Sequence, residues 1–361
     1  MDQLTGNIER KTYCDYLRVI ATFAVVILHV SAQNWRAMDV NGFEWKVFNF
    51  YDSIVRWGVP VFVMISGSLF LNKAVSIKKL YTKYIRRMIV AFITWSIFYV
   101  LVNEDTLRNG IIYGLKTHKK EIISGHYHMW FILMIIGIYI CIPFYKKLVE
   151  DRLIMKYFLT LSFLFAFFIP WILQLLKDYV AGNIGLVEKA IGVINTNISN
   201  MNMHMVLGYS FYFIFGYYLD NIELSKKQRI IIYILGIAGF LFTILVDLDI
   251  ALKTQHPCSI YYGEFRVNVV SEAVCIYTLY KYRRFENVRL NFFVKKLSGY
   301  TFGVYLVHAL FIEKFSSALN FNTLSFNAVI SVPVIACVVF ACSLLISTVI
   351  NHIPILKENI V

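Results

Sequence analysis

Two ionisable residues, Arg18 and His29, interrupt the first long apolar stretch of the chain. They stand 11 positions apart. At ~100° per residue this is three turns plus ~20°, so both side chains project from one helix face, with a rise of ~16 Å between them. A guanidinium is permanently charged and binds anions. An imidazole takes and gives protons near neutral pH. The stripe therefore offers a cation at one end and a titratable base at the other. Asp15 precedes Arg18 by three residues, at ion-pair spacing. The plainer readings are an Arg18 that snorkels to the interface and a His29 satisfied in a core.

A second stretch carries Arg56, then Pro60, then Ser66-Gly67-Ser68. Proline cannot donate to the carbonyl four residues earlier, here that of Arg56. A kinked backbone beside an arginine suits a polar cavity. The packing alternative is a proline kink with Arg56 paired to an acid such as Glu272. Lys83, Arg86 and Arg87 form a basic cluster. The Ser76–Arg87 stretch has a basic face suited to a membrane surface. The histidines His118, His126, His128, His204, His256 and His308 gather near one set of helix ends, with only His352 opposite. An outward polar vestibule explains that distribution, and so does interfacial placement of amphipathic rings. No HExxH, GxSxG, P-loop or GxGxxG is present, so a histidine acid–base site is the natural enzymatic reading.

These residues must be held by apolar elements. The 361-residue chain is 58% hydrophobic and 16% charged, with a mean hydropathy of +0.62. Soluble domains run at roughly 45–50% apolar and ~25% charged residues. The composition excludes a disordered chain, a disulfide-stapled domain and an ordinary cytosolic enzyme. The six cysteines, Cys14, Cys141, Cys258, Cys275, Cys337 and Cys342, form no CxxC pair. Neither a disulfide frame nor a zinc site is expected.

A bilayer crossing needs about 20 largely apolar residues. Ten segments qualify: 14–33, 47–71, 85–103, 127–145, 154–175, 204–219, 230–247, 263–280, 297–312 and 326–350. The expected fold is thus one all-α polytopic membrane domain over 1–361 with about ten transmembrane helices. With the N-terminus inside, the inner segments carry 22 Lys and Arg, the outer ones 10, and three (Arg18, Arg56, Arg266) lie in spans. That asymmetry favours cytoplasmic N- and C-termini. It also explains most of the net charge of +13 as topology, which argues against nucleic acid. Arg18 interrupts the apolar run of residues 1–32, so that segment reads as a first helix and not a cleaved leader. The outer segments 104–126 and 176–203 are the longest. The second, with Gly182, Gly185 and Gly192, is expected to dip toward the membrane.

On this pattern the chain resembles the acyltransferase 3 family of bacterial membrane acyltransferases. Asp15-Tyr16-Leu17-Arg18 through His29 fits that family's Arg-x10-His signature. Further matching stretches are Arg56-Trp-Gly-Val-Pro-Val-Phe-Val-Met-Ile-Ser-Gly, Lys83-Tyr-Ile-Arg86-Arg87, His128-Met-Trp130-Phe131 and Thr301-Phe-Gly-Val-Tyr305-Leu-Val-His308. Relatives often show Arg-x-x-Arg where this chain begins with Lys83, a point charge without bidentate geometry.

The resemblance implies a multi-pass bacterial plasma-membrane protein. It would transfer an acyl group, usually acetyl, from cytoplasmic acyl-CoA to a hydroxyl of a cell-surface or lipid-linked carbohydrate. No resident cofactor or metal is implied. On this view His29 is the general base or carries the acyl group, with Arg18 and Arg56 beside it in the catalytic set. Arg18, Lys83, Arg86, Arg87 and Ser66 bind the donor. His128, Trp130, Tyr305 and His308 line the acceptor vestibule. A secondary transporter is the principal alternative, since buried Arg and His suit a permeation path equally. A different membrane O-acyltransferase fold with His308 as base and a purely structural or sensing protein are two others.

Overall fold

The computed structural model describes residues 11–180, 185–201 and 208–359. Every regular element among these described residues is helical. Among the described residues eight helical stretches are long and apolar enough to cross a membrane, as the composition requires of an all-α polytopic membrane protein: Thr12–Trp35, Phe43–Leu71, Ile77–Leu101, Lys119–Glu150, Arg152–Tyr179, Lys226–Thr254, Thr301–Leu319 and Ala328–His352.

Each of the ten expected spans contains a helix. In the 204–219 span the described residues hold the 12-residue helix Tyr209–Asp220. The 263–280 span is a 15-residue helix, Val267–Lys281. Arg10, Gly182 and His204 fall outside the described residues. The 47–71 span is corrected. It divides into Phe43–Ser53 and Gly58–Leu71, and Pro60 lies inside the second piece instead of at a kink. Trp57 supports the break, its indole N–H donating to the Ile54 carbonyl at 2.8 Å.

The outer segment 104–126 folds into short helices, Glu104–Asn109, Ile111–Thr117 and Lys119–Ser124. The first is capped by the Asn103 side chain. Gly110 and Gly125 end turns of helix at φ 94° and 76°, a region that other residues enter only with strain. In the other long segment, Gly185–Asn200 is a helix. It packs through Ile191 against Leu173.

The chain divides into two compact units, residues 1–74 with 146–298, and residues 75–145 with 299–361. In the first, Thr12–Trp35 buries Leu17, Ala21, Ala24, Val26 and Val30. It packs against both halves of the 43–71 segment and against Val288–Ser298. The Gly58–Leu71 and Tyr209–Asp220 helices meet backbone to backbone. A Cβ on Gly67 would overlap the Phe213 carbonyl, and one on Gly216 would overlap that of Met64. Lipid tails are as apolar as side chains, so membrane helices associate through close approach at such small residues. Asp220, at the end of this pair, accepts from Lys11, from Tyr13 and from Asn72 at 2.9 Å.

In the second unit Thr301–Leu319 packs along Ala328–His352. Ser347 donates to the Tyr300 carbonyl at 2.9 Å, and Tyr99 donates to that of Leu306 at 2.8 Å.

Overpacking a close helix contact costs ~1–3 kcal/mol or more. Gly67→Val and Gly216→Val are expected to lower the melting temperature in detergent and the yield of monodisperse protein. Gly137→Ala, where a Cβ meets open space, is the control and is expected to melt like the natural chain.

Candidate functional site

Arg18 and His29 lie on one helix that runs unbroken from Thr12 to Trp35. The spacing argument for a shared face therefore holds along its whole length. Both residues are half-buried. Arg18 Nη1 is 3.6 Å from Asp15 Oδ1, with the arginine side chain 32% exposed and the aspartate 5%. That distance is an ion pair beyond hydrogen-bond range. Ser298 fixes the carboxylate, donating to the same oxygen at 2.8 Å. A guanidinium has five donors in a planar fork, and one long pair leaves Arg18 able to receive a further anion.

Arg56 stands in the break between the two half-helices. Its partner is not Glu272 but Asp52, one turn earlier, so the ion pair bridges the interruption. The guanidinium lies 3.9 Å from the centre of the Tyr262 ring. Tyr262 in turn donates to Asn49 Oδ1, and Ser53 donates to the Asn49 carbonyl at 2.7 Å. A delocalised cation on an aromatic face and against a carboxylate is a favourable way to bury positive charge. Ser66 sits further along Gly58–Leu71, donating within its helix to the Phe62 carbonyl at 2.9 Å.

Around this pair the first unit buries two further acids, Glu272, which the sequence offered as a partner for Arg56, and Asp247, which it left unused. Thr243 donates to Glu272 Oε1 at 2.6 Å, and Asn268 donates to Thr243 at 2.8 Å. Asp247 Oδ1 accepts from the Cys258 thiol and from the Tyr261 N–H, both at 3.2 Å. Asp247 and Glu272 are fully buried. The second oxygen of each, like Asp52 Oδ1, is buried with no hydrogen-bond partner among the described residues. The signal for them was present in the sequence: an acid within an apolar segment is as costly as a base there. Burial pushes the Cys258 thiol up to about 12. It is therefore a neutral donor and not a nucleophile.

The second unit assembles a different group. Tyr305 donates to the backbone carbonyl of His128. The His128 and His308 rings are 5.0 Å apart and nearly perpendicular. His308 Nδ1 is 2.6 Å from the Tyr305 carbonyl oxygen. His128 and His308 are 1% and 0% exposed. These three expected vestibule residues thus come together. Trp130 is 39% exposed, with its ring near Phe131, and it is Phe131 that meets Tyr305 at 5.5 Å. Two further residues join them, His126 from the outer histidines and Glu313, which was not assigned from sequence, with His126 Nε2 3.0 Å from Glu313 Oε1.

Lys83 and Arg86 are exposed and Arg87 is half-buried, its guanidinium 5.8 Å from the Phe302 ring. Lys83 falls in the wide-turned stretch Leu80–Ile85 that precedes the Arg86–Leu101 helix. A large apolar cleft of about 710 Å³ opens in the first unit, walled by Phe163, Trp171, Phe211, Phe215 and Phe242. None of Arg18, His29, Arg56 or Ser66 lines it.

The Asp52–Arg56 pair has a direct test. Removing one partner of a buried pair costs ~3–5 kcal/mol, because the other charge is left unanswered. Asp52→Asn is expected to lower the melting temperature strongly, and Asp52→Asn with Arg56→Gln to recover part of the loss. Equal melting of Asp52→Asn and the natural chain would contradict the pairing.

A family model described as an acyltransferase domain matches residues 11–352 of the chain. No curated protein and no solved structure matches it.

Proposed function

The chain belongs to the acyltransferase 3 family, and on that footing we propose that this membrane acyltransferase moves an acyl group, acetyl in the first instance, from acyl-CoA to a carbohydrate hydroxyl. The observation that carries the reading is the match over nearly the whole chain, with Arg18 and His29 inside it on one unbroken helix.

In this proposal the phosphates of the donor are met by cations. Lys83 and Arg86 are exposed and Arg87 half-buried, and Arg18 keeps donor capacity beyond its long pair to Asp15. A lysine offers a mobile point charge and an arginine a planar fork, and both suit phosphate. Ser66 borders the path of the donor arm. His29 is the base. It removes the proton of the acceptor hydroxyl as the oxygen attacks the thioester carbon, and the CoA sulfur leaves with the bonding electrons. The same imidazole also suits a route in which it first carries the acyl group itself. Arg56, held by Asp52 and Tyr262, is a fixed positive charge suited to a developing oxyanion. The vestibule that receives the sugar comprises His128, Trp130, Tyr305 and His308, with aromatic faces that suit sugar rings. The setting is the plasma membrane of a bacterium, with both termini and the donor on the cytoplasmic side and the acceptor outside.

The test is transfer from acetyl-CoA labelled in its acetyl group, with purified chain in detergent. CoA release and label on the protein are followed. General-base loss is worth ~10²–10⁴ in rate. His29→Ala is expected to lower turnover by that factor while donor binding stays unchanged, and Arg18→Ala to raise the KM for donor. Undiminished turnover in His29→Ala would remove His29 from the chemistry. Flux of a substrate across vesicles with no covalent change would establish a transporter in place of a transferase.

A further inference from the structure

The segment ahead of Trp130–Glu150 turns two histidines toward each other and toward the Thr301–Leu319 helix. Glu313 Oε1 lies 3.0 Å from His126 Nε2. His126 Nδ1 lies 3.0 Å from His128 Nδ1. The Tyr99 ring stacks on His126 at 4.1 Å and 13°, which fixes the plane of that imidazole. Exposure falls along the row. The Glu313 side chain is 46% exposed and that of His126 20%, while His128 is 1% exposed.

The partners dictate where the protons are. A carboxylate only accepts, so His126 Nε2 carries a hydrogen. A neutral imidazole then has a bare Nδ1, so His126 Nδ1 accepts and His128 Nδ1 donates. His128 is left with its basic lone pair on Nε2. When His128 Nε2 gains a proton, its Nδ1–H bond breaks and an N–H bond forms on His126 Nδ1. His128 ends neutral and protonated on Nε2. The positive charge now sits on His126, against the Glu313 carboxylate. A fully buried imidazolium is heavily penalised by desolvation, and this transfer moves the charge to the half-exposed end of the row.

We propose that Glu313, His126 and His128 form a proton relay that lets the buried His128 act as a base, with Glu313 and His126 as its positioning residues. The inference rests on the acyl-transfer reading, by the route in which His29 first carries the acyl group, for the source of the proton, an acceptor hydroxyl. The O–H bond breaks and an N–H bond forms at His128 Nε2. The oxygen electron pair attacks the acyl carbon carried by His29, and the imidazole nitrogen leaves with its bonding pair. His126 then releases its Nε2 proton to Glu313, which passes it to water. The other titratable groups beside the relay are Tyr99, Tyr127, Tyr305 and His308. The phenols are uncharged at neutral pH. His308 Nδ1 bonds a carbonyl, which can only accept, so that ring is held as the Nδ1–H tautomer. Among the described residues no three His, Cys, Asp or Glu side chains converge as metal ligands do.

The experiment uses the full chain labelled with ring-¹⁵N histidine in detergent at neutral pH, with resonances assigned by loss in His126→Gln and His128→Gln. The natural chain is expected to show His128 protonated on Nδ1. Glu313→Ala, which frees His126 to flip, is expected to give a mixture of His128 tautomers at an unchanged melting temperature. A His128 ring protonated on Nε2 in the natural chain, or a tautomer indifferent to Glu313→Ala, overturns the relay. Acetyl-CoA turnover is measured on the same samples. Glu313→Gln keeps an acceptor but removes the charge, and is expected to lower turnover about tenfold or more, with Glu313→Asp recovering most of it. Equal turnover in Glu313→Gln overturns the relay as a participant in transfer. The tautomer response without turnover in the natural chain upholds the relay and refutes the acyl-transfer reading.

Discussion

A charge surrounded by hydrocarbon has to be answered from within the same chain. Water, which hydrates an exposed ion without structural cost, is absent, and an isolated buried ion costs several kcal/mol even after relaxation. The placement of Arg56 follows from this constraint. A continuous helix through 47–71 would carry the guanidinium into its apolar flank. The chain instead stops at Ser53, resumes at Gly58 and lays the guanidinium between Asp52 and the face of Tyr262. Asn49 and Ser53 hold that tyrosine in turn. The polar interior of the first unit is organised around satisfying one cation and the acids near it.

The second unit meets the same constraint with groups that change charge. Its buried polar centre is imidazole and phenol, tied by Tyr305 to the His128 backbone and by Tyr99 to Leu306. Imidazole is neutral until it is asked to take a proton, so it can be buried at little cost and still act. A fixed ion pair suits holding and orienting. A row of histidines ending on a half-exposed carboxylate suits movement of protons. The division of labour is chemical, and each unit contains the partners for its own part.

Much of this was legible in the residues. Each of the ten apolar stretches holds a helix, two of them in 47–71, and Arg18 and His29 share one unbroken helix as their spacing requires. Arg56 was found by the rule that a charge in a span has a reason. What was missed has separate physical causes. The break at 54–57 does not follow from Pro60, because proline fits within the first turn of a helix. The pairing with Asp52 has ordinary i,i+4 spacing, so its signal was in the sequence and was passed over for the distant Glu272. His126 and Glu313 are joined across nearly two hundred residues, and no local pattern reports a tertiary contact. Gly67 had drawn attention through its neighbours Ser66 and Ser68, whereas the structure gives it the role of admitting another backbone.

That last contact has a mechanical meaning. Most helix pairs are separated by a layer of side chains that can change rotamer, and the layer acts as a soft gasket. Between Gly58–Leu71 and Tyr209–Asp220 there is no such layer at Gly67 and Gly216, and peptide planes touch directly. Peptide planes do not compress or reshuffle, so the two helices form a stiff girder with no lubricating film. Ser66 rides on that girder, and so does the lower half of the element whose upper end carries Arg56. Any adjustment of shape in the first unit during a working cycle is therefore carried by other joints, and the frame that aims these side chains stays true.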